Sequence, residues 1–202
     1  MAQESWQFGP ANGTLTLHTG VTGPASRTGH RLTIEMQQWS ATVTLSDGVP
    51  SDVSASIDVD SLTVVSGEGG VTPLTGPEKS LARSNALKSL NASKSPTITY
   101  DAASITTIEA GYRIDGTLSI NGKQRQHPLD VEVADEKRTA TIETTVSHRD
   151  FGLKPYSMMM GALKVDDEVR VTIIATGFDE KANARPDRTG APEQVVVEAE
   201  PA

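Results

Sequence analysis

The side chains best equipped for chemistry in this chain are four histidines, His18, His30, His127 and His148. No two of them stand at the spacing that puts a pair of imidazoles on one helix face, so the sequence holds no local metal motif, although strands can still gather distant ligands. Cysteine is absent, which removes thiolate zinc sites, disulfides and cysteine nucleophiles. There is no Gly-x-Ser-x-Gly elbow, and the carboxylates are scattered without a spacing that specifies a catalytic pair. No catalytic residue, metal or cofactor is expected. The apolar residues say more. In "PYSMMMGAL" the run Met158, Met159, Met160 supplies flexible, polarizable surface, which serves either an adaptable binding face or gap-filling in a core.

One histidine belongs to a clear pattern. The stretch "GYRIDGTLSINGKQRQHPLDVEV" reads as two alternating runs joined at Asn121-Gly122, a pair suited to the positive φ angles of a type I′ turn. That turn sets Ile120 opposite Lys123, Leu118 opposite Arg125, Gly116 opposite His127, Ile114 opposite Leu129 and Tyr112 opposite Val131. Tyr112, Ile114, Leu118, Leu129 and Val131 then share an inward face on which Gly116 leaves a gap. An inward glycine marks a bend, a bulge or the close approach of a ligand or another backbone. If it faces a lumen, Gly116→Phe is expected to block ligand uptake in a folded protein.

The elements around this hairpin are also strands. "GTLTLHTGV" places Leu15, Leu17, Thr19 and Val21 on one face. In "HRLTIEMQQWSATVTL" the apolar positions are even through Leu32, Ile34 and Met36 but odd from Trp39 onward, a phase change that predicts a bulge at Gln37-Gln38. "VSASIDVDSLTVV" shifts likewise, from Val53, Ala55, Ile57 and Val59 to Leu62 and Val64. Glu78 to Leu90 carries an apolar stripe at helical spacing. "TITYDAASITTI" places Ile98 and Tyr100 on one face, and "RTATIETTV" and "DEVRVTIIATG" alternate. The sum is eight antiparallel strands, an all-β fold able to close into a barrel around one small ligand. Residues 179–202 lack periodicity and are rich in charge, Pro and Ala, which predicts a disordered acidic tail after a domain over residues 1–178.

Composition narrows the function. At 202 residues the chain can bury a sizeable core, and a formal charge of −8 opposes binding to nucleic acid phosphates. "MAQESWQFGP" has neither the basic nor the apolar region of a signal peptide, and no run is long enough to span a bilayer, so a soluble cytoplasmic protein is expected.

The stretches "GHRLTIEMQQWSATVTL", "SIDVDSL", "ALKSLNASKSPTITY", the hairpin above and "HRDFGLKPYSMMMGALKVDDEVRVTI", in this order, resemble the YceI-like family of lipid-binding proteins from about Gly13 to Gly177. The resemblance implies a lipocalin-like, eight-stranded barrel. It has one helix between strands three and four and a short helical segment before the last strand. It also implies a binding protein without catalytic residues, holding a long isoprenoid lipid of the polyprenyl or quinone type for sequestration or transport. Many relatives are exported, unlike the expectation here, and the tail has no counterpart in the pattern. Alternation, read inside such a barrel, nominates Leu17, Ile34, Met36, Ile57, Ile98, Tyr100, Tyr112, Ile114, Gly116, Leu118, Leu129 and Val131 as lining residues, with Met158 and Met160. Two other readings stay open: a cavity enzyme acting on a small apolar substrate, suggested by an inward His127, and a cavity-free interaction module. A second copy of the chain is kept open as a partner.

Overall fold

The computed structural model describes residues 4–134 and 138–177, so the tail expected over 179–202 lies outside the described residues. Alternating sequence becomes strand nearly throughout. The chain begins with β1 (Glu4–Phe8) and β2 (Gly13–Thr22), followed by β3 (His30–Met36), β4 (Trp39–Ser46), β5 (Val49–Asp58) and β6 (Leu62–Gly69). After helix α1 (Gly76–Ser89) come β7 (Thr97–Ile108), β8 (Gly111–Ile120), β9 (Lys123–Gln126) and β10 (Leu129–Ala134). The fold is completed by β11 (Thr139–Ser147), β12 (Ser157–Met158) and β13 (Leu163–Thr176).

All pairings are antiparallel, in the order β1-β4-β5-β7-β8-β10-β11-β13-β2-β3-β6, with β9 beside β8 and β12 beside β13. β3 runs on into β4 across Gln37-Gln38, and β5 runs on into β6 through a 3-10 turn at Val59–Ser61. Bridging hydrogen bonds from Gln37 N–H to Ser61 O (3.2 Å) and from Asp58 N–H to Gln38 O (3.0 Å) keep the two bent strands paired through the bend. The sheet therefore curls around a common interior. It is an all-β antiparallel curled sheet with a single α-helix among the described residues, consistent with a lipocalin-like barrel.

The count of thirteen strands among the described residues corrects the expected eight. The phase changes at Gln37-Gln38 and Val59–Ser61 each divide one long apolar run into two strands, because the extra residues break the ladder while keeping both halves facing inward. His127-Pro128 separates β9 from β10 in the same way, since proline has no N–H to give the ladder. β1 was not expected at all, although Trp6 and Phe8 alternate, and it pairs with β4 from Glu4↔Leu45 to Phe8↔Ala41. The hairpin register agrees with the sequence reading: Ile120↔Lys123, Leu118↔Arg125, Ile114↔Leu129 and Tyr112↔Val131. Asn121 (φ 53°) and Gly122 (φ 69°) take the left-handed conformation that the turn requires.

Helix α1 starts at a capping box in which Thr75 Oγ1 accepts from Glu78 N–H while the Glu78 carboxylate accepts from Thr75 N–H (2.7 Å). The hydrogen bonds that the Glu78 carboxylate accepts from the Thr75 N–H and the Thr75 hydroxyl hold it below its ordinary value. Arg83 donates from Nε to Leu62 O (2.8 Å) and Lys79 from Nζ to Val65 O (2.7 Å), so the helix covers the edge of β6 and satisfies its carbonyls. Its Ala82, Ala86, Leu87 and Leu90 pack on the core. The helix ends at left-handed Asn91 (φ 56°), whose amide donates to Asn121 Oδ1 (2.8 Å); Asn121 in turn donates to Phe151 O (3.1 Å).

Two apolar clusters form the interior. One holds Phe8, Leu15, Ile34, Met36, Trp39, Leu62, Val64 and Ala175, the other Tyr100, Ile114, Leu118, Ile120, Leu129, Phe151 and Leu153; Leu90 touches both. Among the described residues no helix is long and apolar enough to cross a membrane. Phe151, 2% exposed, closes the sheet end beside the Asn121 turn. Phe151→Ala is expected to cost about 3–5 kcal/mol in urea unfolding, and a loss below about 1 kcal/mol would show that this end is not packed.

Candidate functional site

The curled sheet does not fill its own interior. A cavity of about 740 Å³ lies between the two clusters, bordered by side chains from every strand except β9 and β6's outer half, and by α1. Inward residues such as Leu17, Ile57, Ile142, Val171 and Ile173 remain only half-buried because part of their surface faces this space. The volume lies within the range of small-molecule pockets, about 300–1,000 Å³.

The cavity opens where its lining residues are also exposed. Val71 (79%), Leu81 (62%), Met158 and Tyr156 meet both criteria, together with Thr28, Thr72, Glu78 and Lys164. These residues place the mouth between the start of α1 and the segment around β12. His30 helps shape it, its Nε2 lying 2.8 Å from Thr72 O.

Polarity is distributed along the cavity in one direction. On β11 the inward row reads Ala140, Ile142, Thr144, Val146 and then His148; on β10 and the residues before it the row reads Val133, Val131, Leu129 and then His127. The far end, where β11 begins and β13 stops, is bordered by Trp6, Phe8, Trp39, Val43 and Ala175. The end toward the mouth holds His127, Thr144, Ser147, His148 and, from α1, Asn85. Most of these polar groups have protein partners. Ser147 donates to Asp167 Oδ2, and His148 Nδ1 donates to Asp167 O (2.8 Å). Burial alone would raise the Asp167 carboxyl, but hydrogen bonds from Ser147 and Arg149 and the Arg149 charge bring it below its ordinary value.

His127 is held from its backbone. Its N–H donates to Gly116 O (2.9 Å), and its carbonyl accepts from the Tyr100 hydroxyl (3.1 Å), which is shared with Ile114 O (3.2 Å). The ring Nε2 lies 2.8 Å from Thr144 Oγ1. Burial lowers the His127 pKa, with Asp150 pulling the other way, so the ring is neutral at pH 7. Tyr100 is pushed up to about 12 by burial and by the nearby Asp115 charge, so its phenol stays a hydrogen-bond donor.

The residues nominated by alternation all border this cavity except Gly116 and Met160. Gly116 is buried and inward, but Tyr100 lies over it. A Cβ there would stand 2.5 Å from Tyr100 Cζ and Oη and 2.7 Å from Asp101 O. The gap is thus filled by a neighbouring aromatic ring, and Gly116→Phe would strain the wall instead of entering a lumen. Met160 is fully exposed, at 106%, in a left-handed turn of Met159 (φ 52°), Met160 (φ 56°) and Gly161 (φ 90°) that points it away from the interior. Of the methionine run only Met158 borders the cavity, at its mouth, and none of the three is buried. Trp6, Phe8, Thr144 and Asn85 border the cavity without having been nominated. Alternation was signal enough for Trp6, Phe8 and Thr144, whereas Asn85 required the helix to be docked.

No group of three or more metal-ligating side chains is found among the described residues. The sequence profile of the YceI-like domain matches residues 6–176. The chain belongs to the YceI-like family. That family is known for polyisoprenoid binding and is a family of binding proteins. No curated relative matches in sequence. Among solved structures, BcnA of Burkholderia cenocepacia superposes with a TM-score of 0.57 at 17% identity, over 81% of this chain and 96% of that one. The YCEI protein of Campylobacter jejuni gives 0.52 at 14% identity, over 72% and 85%. At these identities the likeness establishes the fold of this YceI-like chain.

Because the Asp101 backbone carbonyl cannot move aside as a flexible side chain would, even Gly116→Ala is expected to lower stability, by roughly 1–3 kcal/mol. Chemical denaturation measures it, and an unchanged midpoint would show that Tyr100 does not rest on Gly116.

Proposed function

We propose that this YceI-like protein holds a long apolar lipid of the polyprenyl or quinone type inside its curled sheet, for sequestration or transport. The observation that carries this reading is the cavity of about 740 Å³, bordered mostly by aliphatic and aromatic side chains and open at one end. Burying an alkyl chain yields about 0.8 kcal/mol per CH₂, so a lipid tail lying along the interior gains enough to offset the cost of immobilising it. Side chains from nearly all strands contribute, which suits a binder that recognises length and apolarity and performs no reaction. The solvent-exposed Val71, Leu81, Tyr156 and Met158 at the mouth give the tail an apolar path inward.

Mass spectrometry of an organic extract of the purified protein tests this reading, followed by titration with polyprenyl and quinone probes. The expected result is a co-purifying isoprenoid lipid or saturable probe uptake at one site per chain. Repeated absence of both would sink the proposal.

A further inference from the structure

Resting on the lipid-holding reading, we infer that the ligand enters tail first and that the His127–Thr144 pair anchors its head through an uncharged oxygen, a hydroxyl or a carbonyl. Three observations support this. The first is the direction of polarity: the far end of the cavity is bordered by Trp6, Phe8 and Trp39, whereas the polar side chains cluster toward the mouth. A lipid whose polar terminus sits at His127 and Thr144 runs its tail toward Phe8 and Trp39.

The second is the arithmetic of hydrogens at the pair. His127 Nε2 and Thr144 Oγ1 are 2.8 Å apart, and a neutral imidazole has one N–H and one bare nitrogen. If Nε2 donates to the hydroxyl, the Thr144 O–H is left to donate elsewhere and Nδ1 can accept. If the hydroxyl donates to Nε2, the hydrogen left over is on Nδ1. In either arrangement the pair retains one hydrogen for a ligand oxygen. Tyr100 cannot provide it, because its single hydrogen is committed to the Ile114 and His127 carbonyls.

The third is charge. Among the described residues bordering the cavity the carboxylates and ammonium groups are Glu78 and Lys164, both exposed, and no arginine is present. A phosphate drawn inside to the His127 level would meet a neutral ring and apolar neighbours, without the cations that make such burial favourable. An uncharged oxygen needs one donor, and the pair has one to offer.

The full chain is titrated with an all-trans polyprenol, with the hydrocarbon of the same length lacking the hydroxyl, and with the polyprenyl monophosphate. The alcohol is expected to bind about tenfold more tightly than the hydrocarbon, the worth of one well-made hydrogen bond, and more tightly than the monophosphate. His127→Leu and Thr144→Val should each bring the alcohol down toward the hydrocarbon; Thr144→Val, nearly isosteric, decides the matter if the histidine variant does not fold. Equal binding of alcohol and hydrocarbon by the native protein, an undiminished preference in the folded variants, or tightest binding of the monophosphate would each overturn the anchor while leaving the lipid-holding reading intact. Failure of all three lipids to bind overturns both.

Discussion

A single phenol hydroxyl joins three strands at the point where their ladder is interrupted. Pro128 has no N–H to offer, so the chain between β9 and β10 loses its regular pairing with β8, and the Tyr100 hydroxyl from β7 takes up the His127 and Ile114 carbonyls instead. This is possible only because residue 116 has no Cβ, which lets the Tyr100 ring lie across the strand. Removing the glycine displaces the ring, and removing the ring leaves a buried carbonyl without a donor. The contact also fixes the backbone from which His127 reaches Thr144, so the wall's integrity and the His127–Thr144 pair rest on the same few atoms.

The cavity follows from a conflict between backbone and side chains. A hydrogen-bonded curled sheet has a circumference set by its strands and their tilt, and it cannot contract to suit smaller side chains. The inward positions are mostly Leu, Ile, Val and Ala, and the whole chain has only 8 aromatic residues (3 Phe, 2 Trp, 3 Tyr). The larger of these serve at the ends: Trp6, Phe8 and Trp39 at one, Phe151 at the other. The middle is left open. An empty cavity forfeits dispersion contacts along its lining, and a ligand that fills it stabilises the folded state in proportion to its affinity and concentration.

Much of this was legible in the sequence, for definite reasons. Between bends alternation keeps one phase, so inward rows such as Tyr112, Ile114 and Leu118 could be read directly, and Asn121-Gly122 fixed the hairpin register by turn chemistry alone. The phase changes were visible too, although not that each would end one strand and begin another, nor that β1, β12 and the break at Pro128 would add three more. What alternation could not supply was the content of a gap. That Gly116 faces inward was readable, but that Tyr100, diagonally across on β7, would occupy its space depends on side-chain direction between strands. Met160 failed for another reason: a left-handed turn sets its direction, and neither of the two repeating periods applies there.

The most direct measurement is a crystal structure of the protein purified without delipidation. The account predicts continuous elongated density running from the His127–Thr144 pair toward Trp6 and Trp39, with its polar end at the pair. A cavity collapsed by inward side chains, or one holding only scattered water, would contradict it.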